Sequence, residues 1–182
     1  MTGSFKTEGK EGLALVSKRE FGMLQEYAAK AKFFLEVGTA SGVTISLLSA
    51  ENPQVTFVSI DLYNPSIKST NERILWWRLN NRPPANLWIG TFQQFEMFCN
   101  PNIFDTIWID ARHSDKSVYE DLNSARELLV SGGVILSHDY GLSETNYNYG
   151  ATSGADRWLK DNANWSIIEQ EHHLIAMKRR NE

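Results

Sequence analysis

At 182 residues, with 42% hydrophobic and 22% charged side chains, the chain has the size and balance of one globular domain with a sizeable core. A net charge of −4 and a pI near 5.6 exclude a strongly basic nucleic-acid surface, and no apolar run approaches the ~20 residues of a membrane span. Met1 to Glu11 lacks the apolar region of a secretory signal, and a single cysteine, Cys99, excludes an internal disulfide or a thiolate cluster. A cytoplasmic protein is therefore expected, with Cys99 a small buried apolar side chain.

Residues 1–16 read as a flexible N-terminal segment and 17–182 as a single domain. Ser17 and Glu20 stand in capping-box spacing and open a helix over 17–31, with Phe21, Leu24, Tyr27 and Ala28 on its apolar face. Phe33 to Val37 is apolar except for Glu36, as in a strand buried on both faces, and a helix follows from Gly42 to Ala50. Val55 to Ile60 gives a second strand ending in Asp61, and the segment from Ser66 through Ile74-Leu75-Trp76-Trp77 reads as helical until Arg82-Pro83-Pro84 breaks it.

Leu87-Trp88-Ile89 is a third strand, and Gly90-Thr91 turns into a helix carrying Phe92, Phe95 and Phe98. Phe104 to Ile109 is the fourth strand, ending in Asp110. The stripe Val118, Leu122, Ala125, Leu128 and Leu129 predicts a helix over 117–129, stopped by Ser131-Gly132-Gly133. Val134 to Ser137 is the fifth strand, with His138-Asp139 at its tip, and a polar loop from Tyr140 to Gly154 precedes a short helix over 155–162. Trp165 to Glu169 and His173 to Lys178 alternate around a polar turn, as in a terminal hairpin. Strands alternating with helices predict an open, mostly parallel sheet covered on both faces.

Acidic groups close successive strands, namely Glu36, Asp61, Asp110 and Asp139, with His113 and His138 beside the last two. Ligands of open parallel sheets bind beyond the carboxyl ends of the strands, so these side chains are expected to converge on one crevice. Each alone is equally readable as a helix N-cap or a surface turn; at equivalent tips they reinforce one another. The Gly38 turn follows an acid and lacks the G-x-G-x-x-G spacing of a dinucleotide loop. Negative charge there disfavours a phosphate and suits a cationic ligand.

Glu36-x-Gly38-x-x-x-Gly42 resembles motif I of the class I S-adenosylmethionine-dependent methyltransferases. Val58-Ser59-Ile60-Asp61 is similar to their second-strand acid, the run from Phe104 to His113 to their fourth strand with an I-D-x-x-H ending, and Leu129 through Asp139 to their L-x-x-G-G-x-x-x-x-H-D segment. Within that superfamily the chain resembles the small enzymes related to catechol-type and sugar O-methyltransferases. The resemblance implies a Rossmann-like α/β sandwich with a seven-stranded, mostly parallel sheet, a C-terminal antiparallel hairpin and helices on both faces. It implies S-adenosylmethionine as cofactor, with Glu36, Gly38, Thr39, Ser41 and Gly42 at the methionine end and Asp61 on the ribose hydroxyls. Thr91 and Phe92 would border the adenine, under apolar cover from Leu62 or Tyr63, and Asp110 would flank the cofactor too.

By the same resemblance Asp110 and Asp139 would hold a divalent metal, Mg²⁺ on the preference of hard cations for carboxylate oxygens. Asp110, His113 and His138 would carry catalysis, one histidine removing the proton of a small-molecule hydroxyl acceptor. The related enzymes have Asp-Asn at the fifth strand tip where this chain has Asp139-Tyr140, which leaves the third metal ligand open, with His138 a candidate. Two other readings stay open: a non-catalytic or regulatory protein that keeps the cofactor fold, and a nicotinamide-dependent oxidoreductase.

The remaining features read as structural. His172-His173 cannot chelate together on a strand and reads as a surface turn, and Lys178-Arg179-Arg180 as the solvated end of the last strand. Trp76, Trp77 and Trp88 read as packing, while an exposed pair would suit an acceptor or dimer surface, so a homo-oligomer stays open. The Tyr147-Asn148-Tyr149-Gly150 loop stands where an acceptor lid is expected. Neither nucleic acid nor a membrane is expected as a partner.

Overall fold

The computed structural model describes residues 16–40, 42–62, 85–142 and 150–180. Helix α1 (Lys18–Lys30) opens on the expected capping box: the Ser17 hydroxyl accepts from the Glu20 amide, and the Glu20 carboxylate accepts from the Ser17 amide. Its buried residues are Glu20, Met23, Leu24 and Ala28, whereas Phe21 and Tyr27 are only half-buried at the edge of the contact. The buried face is thus rotated toward Glu20, an acid at 3% exposure.

Strands β1 (Phe33–Val37), β2 (Thr56–Asp61), β3 (Asn86–Ile89), β4 (Phe104–Ile109) and β5 (Leu129–Ser137) pair in parallel, and β6 (Trp165–Glu171) and β7 (Leu174–Arg179) close the sheet as an antiparallel hairpin. The order is β3-β2-β1-β4-β5-β7-β6, so the chain reverses direction across the sheet between β1 and β4. A crevice opens at such a switch point because the connections leave on opposite sides.

Alternation along each strand builds two cores. Leu35, Ile107 and Ile109 face helices α3 (Phe92–Phe98), α4 (Asp115–Leu128) and α5 (Ala151–Asp161), where Leu122 and Trp158 meet them. Phe34, Phe57 and Trp108 point the other way, against α1 and α2 (Val43–Glu51) through Leu24, Ile45 and Leu48. This is the seven-stranded methyltransferase-like sandwich expected from the sequence. Val16, just before the first helix, is itself buried. Cys99 is half-buried against the α3 side of the core. Among the described residues no helix is long and apolar enough to cross a membrane.

Three boundaries differ from the sequence reading. Helix α4 begins at Asp115, because Ser114 caps it by accepting from the Ser117 amide. Ser131-Gly132-Gly133 does not stop that helix: it ends at Leu128, and β5 starts at Leu129 and runs through the glycines. Gly133 serves packing instead, since a Cβ there would stand 2.8 Å from the Asp105 carbonyl oxygen. The loop after β5 is shorter than expected, because α5 begins at Ala151 and takes Gly154 into its interior. The helix expected around Ile74 to Trp77 lies outside the described residues, as do residues 1–15, Ser41, Tyr63 and the Tyr147 to Tyr149 segment.

Gly154 is there because α5 crosses α4 closely. A Cβ at Gly154 would stand 2.6 Å from the Asp115 carbonyl oxygen and 3.0 Å from the Val118 Cβ, whereas one at Gly22, inside α1, would meet nothing within 4 Å. Alanine normally gains ~0.5–1 kcal/mol over glycine in a helix interior. Gly22→Ala is expected to gain about that amount in urea unfolding, while Gly154→Ala is expected to lose ~1–3 kcal/mol through overpacking.

Candidate active site

The turn after β1 is strapped to the tip of β2. The amides of Gly38 and Thr39 donate to the Ile60 carbonyl at 2.9 and 3.2 Å, and the amide of Ala40 donates to Asp61 Oδ2 at 2.6 Å. The other Asp61 oxygen accepts from the Leu62 amide at 2.6 Å. Gly38 has φ +103°, and a Cβ on it would overlap the Asp110 carbonyl. Only glycine lets β1 and the tip of β4 come this close.

A cavity of about 410 Å³ opens beside that turn. Gly38, Ala40, Asp61 and Leu62 line one side, Gly90 to Gln93 another, and Asp110 to Arg112 with Ser117, Glu120 and Asp121 the rest. Its volume is that of a small-molecule site, which runs from ~300 to ~1,000 Å³. Four of its lining side chains are acidic and Arg112 is basic, so the cavity favours a cation. Asp121 is 6% exposed, and burial raises its carboxyl to about 6 although Gln93 Nε2 donates to it at 2.7 Å.

Of the cofactor residues expected from the sequence, Gly38, Asp61, Leu62, Thr91, Phe92 and Asp110 line this cavity. Glu36, Thr39 and Gly42 do not. Glu36, at 1% exposure, lies inside the sheet and accepts from the Ser59 hydroxyl, which in turn meets the Thr39 hydroxyl at 2.5 Å. Burial, with Asp110 and Asp61 nearby, pushes its carboxyl well above the ordinary range despite the Ser59 bond. Glu36 therefore braces β1 against β2. Gly42 caps α2 in a left-handed conformation.

At the tips of β4 and β5 the acids and histidines converge. His113 Nδ1 stands 2.5 Å from Asp139 Oδ2, and one ligand atom each from Asp110, His113 and Asp139 lie within 4.8 Å of one another. Asp139 adopts φ +63°, rare for a residue other than glycine. Hydrogen bonding to Asp139 raises the His113 pKa above its ordinary value against the effect of burial. Burial opposes the charge of Asp139, but His113 and His138 hold its carboxyl well below the usual range.

His138 does not fit the role of base. Its side chain is 7% exposed and sits among three carboxylates: Nδ1 lies 3.4 Å from Asp110 Oδ1 and 3.3 Å from Asp139 Oδ1, and Nε2 lies 3.5 Å from Glu20 Oε1. Burial alone would lower its pKa, but these carboxylates push it up to about 12. Both ring nitrogens thus face carboxylates of the protein, and neither is turned toward an acceptor. The third donor beside Asp110 and Asp139 is His113, which the spacing alone did not single out for that place. The contact of Glu20 with this group carries no sequence signal beyond the cap, because it joins residues more than a hundred positions apart.

Similar folds are known among methyltransferases. The chain superposes on a Bacillus cereus O-methyltransferase in complex with SAH at 20% identity and a TM-score of 0.64, covering 89% of this chain and 80% of that one. The Streptomyces achromogenes O-methyltransferase TomG, in complex with SAM, matches at 18% identity and 0.65, covering 91% and 82%. A Podospora anserina methyltransferase with bound SAH matches at 16% and 0.68, covering 92% and 80%. No curated protein sequence matches this one. Residues 35–140, more than half of the chain and including every strand tip of the cavity, match the family described as Methyltransferase domain, and the chain belongs to it, within the class I S-adenosylmethionine-dependent methyltransferases.

Proposed function

We propose that the cavity binds S-adenosylmethionine and that the chain passes its methyl group to a hydroxyl of a small molecule, with His113 taking the hydroxyl proton. The observation that carries this reading is the 2.5 Å contact of His113 Nδ1 with Asp139, whose strand β5 lies three places along the sheet from β2 and its ribose-type acid Asp61. Asp139 fixes the ring and leaves Nε2 for the acceptor. O-Methyltransferases of like fold that hold SAM or SAH support the choice of cofactor and of oxygen as acceptor. The acceptor is a small molecule of the cell interior, and neither nucleic acid nor a membrane enters the reaction.

Methyl transfer is an in-line displacement. The acceptor oxygen bonds to the methyl carbon as the carbon–sulfur bond breaks, the sulfonium becomes a thioether, and the hydroxyl proton leaves for His113. Positioning supplies most of the rate, since the sulfonium is already an activated methyl donor. Asp61, Asp110, Glu120 and Asp121 surround the cavity that would take the cation. The two oxygens of Asp61, each accepting one backbone amide, keep lone pairs for the ribose hydroxyls.

The clustering of Asp110, His113 and Asp139 favours a second reading, in which these residues hold a divalent ion. Two carboxylates and an imidazole suit an ion that takes nitrogen as well as oxygen, such as Mn²⁺, better than the all-oxygen preference of Mg²⁺. Bound there, the ion would make an acceptor hydroxyl more acidic. His113 is then a ligand, and the two readings separate on chelation.

Asp61→Ala is expected to weaken binding of S-adenosylhomocysteine ~10- to 100-fold in calorimetry, as loss of charged hydrogen bonds costs ~1.5–3 kcal/mol. Calorimetry that detects no binding by the unmodified chain would overturn the cofactor assignment. Because Asp139 raises the His113 pKa, the base form is depleted at neutral pH. The rate is expected to rise with pH through a step above the ~6.5 of a free imidazole, and His113→Ala should remove that step and lower kcat ~10²- to 10⁴-fold. With EDTA present, activity is expected to persist; loss of activity that Mn²⁺ restores would assign the three residues to a metal instead. Binding of the cofactor without transfer to any hydroxyl would favour the regulatory reading.

A further inference from the structure

The capping box of α1 holds more than the helix. Glu20 Oε2 accepts from the Ser17 amide at 2.6 Å, while Oε1 accepts from the His173 amide at 3.0 Å and stands 3.5 Å from His138 Nε2. His138 Nε2 is buried and has no hydrogen-bond partner among the described residues, so the Glu20 carboxylate is the charge that faces that edge of the ring. The opposite edge, at Nδ1, faces Asp110 and Asp139. Carboxylate oxygens thus flank the ring on both edges, at 3.5 Å from Nε2 and at 3.4 and 3.3 Å from Nδ1.

This contact reaches outside the segment that matches the methyltransferase family. Glu20 precedes the residues that match the family, and His173 follows them, in the turn between β6 and β7. Tyr140, the residue after Asp139, is clamped to the same turn: its amide donates to the His173 carbonyl at 2.9 Å, and its carbonyl lies 3.1 Å from His173 Nδ1. One carboxylate thus ties α1, the hairpin turn and the tip of β5 into a single unit behind the reacting groups.

We propose that Glu20 is a positioning residue for methyl transfer: it fixes the His138 ring, and through it the Asp110 carboxylate, which lines the cavity, and the Asp139 carboxylate beside it. Glu20 is not among the residues that line the cavity. The inference rests on the methyl-transfer reading for its effect on rate, whereas the placement of the ring stands on geometry alone.

Glu20→Gln is the informative variant, because glutamine keeps the capping-box geometry and removes the charge. Its kcat is expected to fall about tenfold or more, as for other residues that orient reacting groups from behind, with S-adenosylhomocysteine affinity within about twofold of the parent. Ser17→Ala removes the cap and keeps the carboxylate, so it is expected to lower Tm and leave kcat unchanged. In a His138→Asn background, Glu20→Gln is expected to add nothing further, since the cycle isolates what Glu20 does through the ring.

A crystal structure of Glu20→Gln reads the placement without turnover: the His138 ring should turn away from Asp110 and Asp139. A ring that stays in place, or a kcat within twofold of the parent, would overturn the proposal, as would a Ser17→Ala that loses as much kcat as Glu20→Gln. Should the parent chain transfer no methyl group, the methyl-transfer reading fails, and the crystal structure still decides the role of Glu20. If Glu20→Gln does not fold, Glu20→Asp, which keeps the charge and shortens the reach, is expected to show the same loss of kcat with affinity retained.

Discussion

The close approach of Gly38 to Asp110 sets the geometry on which everything else depends. The Asp110 amide donates to the Val37 carbonyl at 2.8 Å, and the Asp110 carbonyl lies where a Cβ on residue 38 would be. β1 and β4 are neighbours at the reversal of strand order, so this contact pins the Gly38 turn against the strand tip that carries Asp110. A side chain at position 38 would separate the two and divide one crevice into two shallow edges. The glycine thus acts through space as much as through its positive φ.

That crevice gathers acids that would repel one another in a dry interior, and the structure resolves the repulsion differently at each tip. Burial and the neighbouring Asp110 and Asp61 push the Glu36 carboxyl toward its neutral form against the Ser59 bond, Asp61 stays at the surface of the turn with backbone amides on both oxygens, and Asp139 keeps its charge between two histidines. The acids are chemically alike in sequence and physically unlike in place. The carboxylates around His138 raise its pKa and so favour a positive charge beside Asp110 and Asp139, while Asp61, Asp110, Glu120 and Asp121 line the cavity itself.

Local patterns were legible and distant ones were not. The capping box at Ser17 and Glu20, the five parallel strands and the hairpin all follow from spacing and alternation, since those are set by neighbours in sequence. Gly132 and Gly133 misled because a helix-stopping signal and a strand through a tight crossing use the same residue, and only the Asp105 carbonyl tells them apart. Gly154 misled in the same way, as a loop signal that packing draws into a helix. In the site, Asp61 and Asp110 were readable as strand tips. That Thr39 and Glu36 turn inward, or that His113 is the exposed and His138 the buried partner of Asp139, depends on side-chain direction at a turn, which no periodicity encodes.

The histidines show how the two ends of the chain complete the middle. Residues 113 and 138 bracket the same carboxylate, but one is a third exposed and the other nearly sealed. Exposure divides their chemistry: a ring that reaches solvent or substrate can exchange a proton, while a ring enclosed by three carboxylates holds one. What encloses His138 is supplied by α1 and the β6–β7 turn, both outside the segment that defines the family. The segment that matches the family therefore provides the acids and the Gly38 turn, and the flanking elements decide which histidine stays exposed.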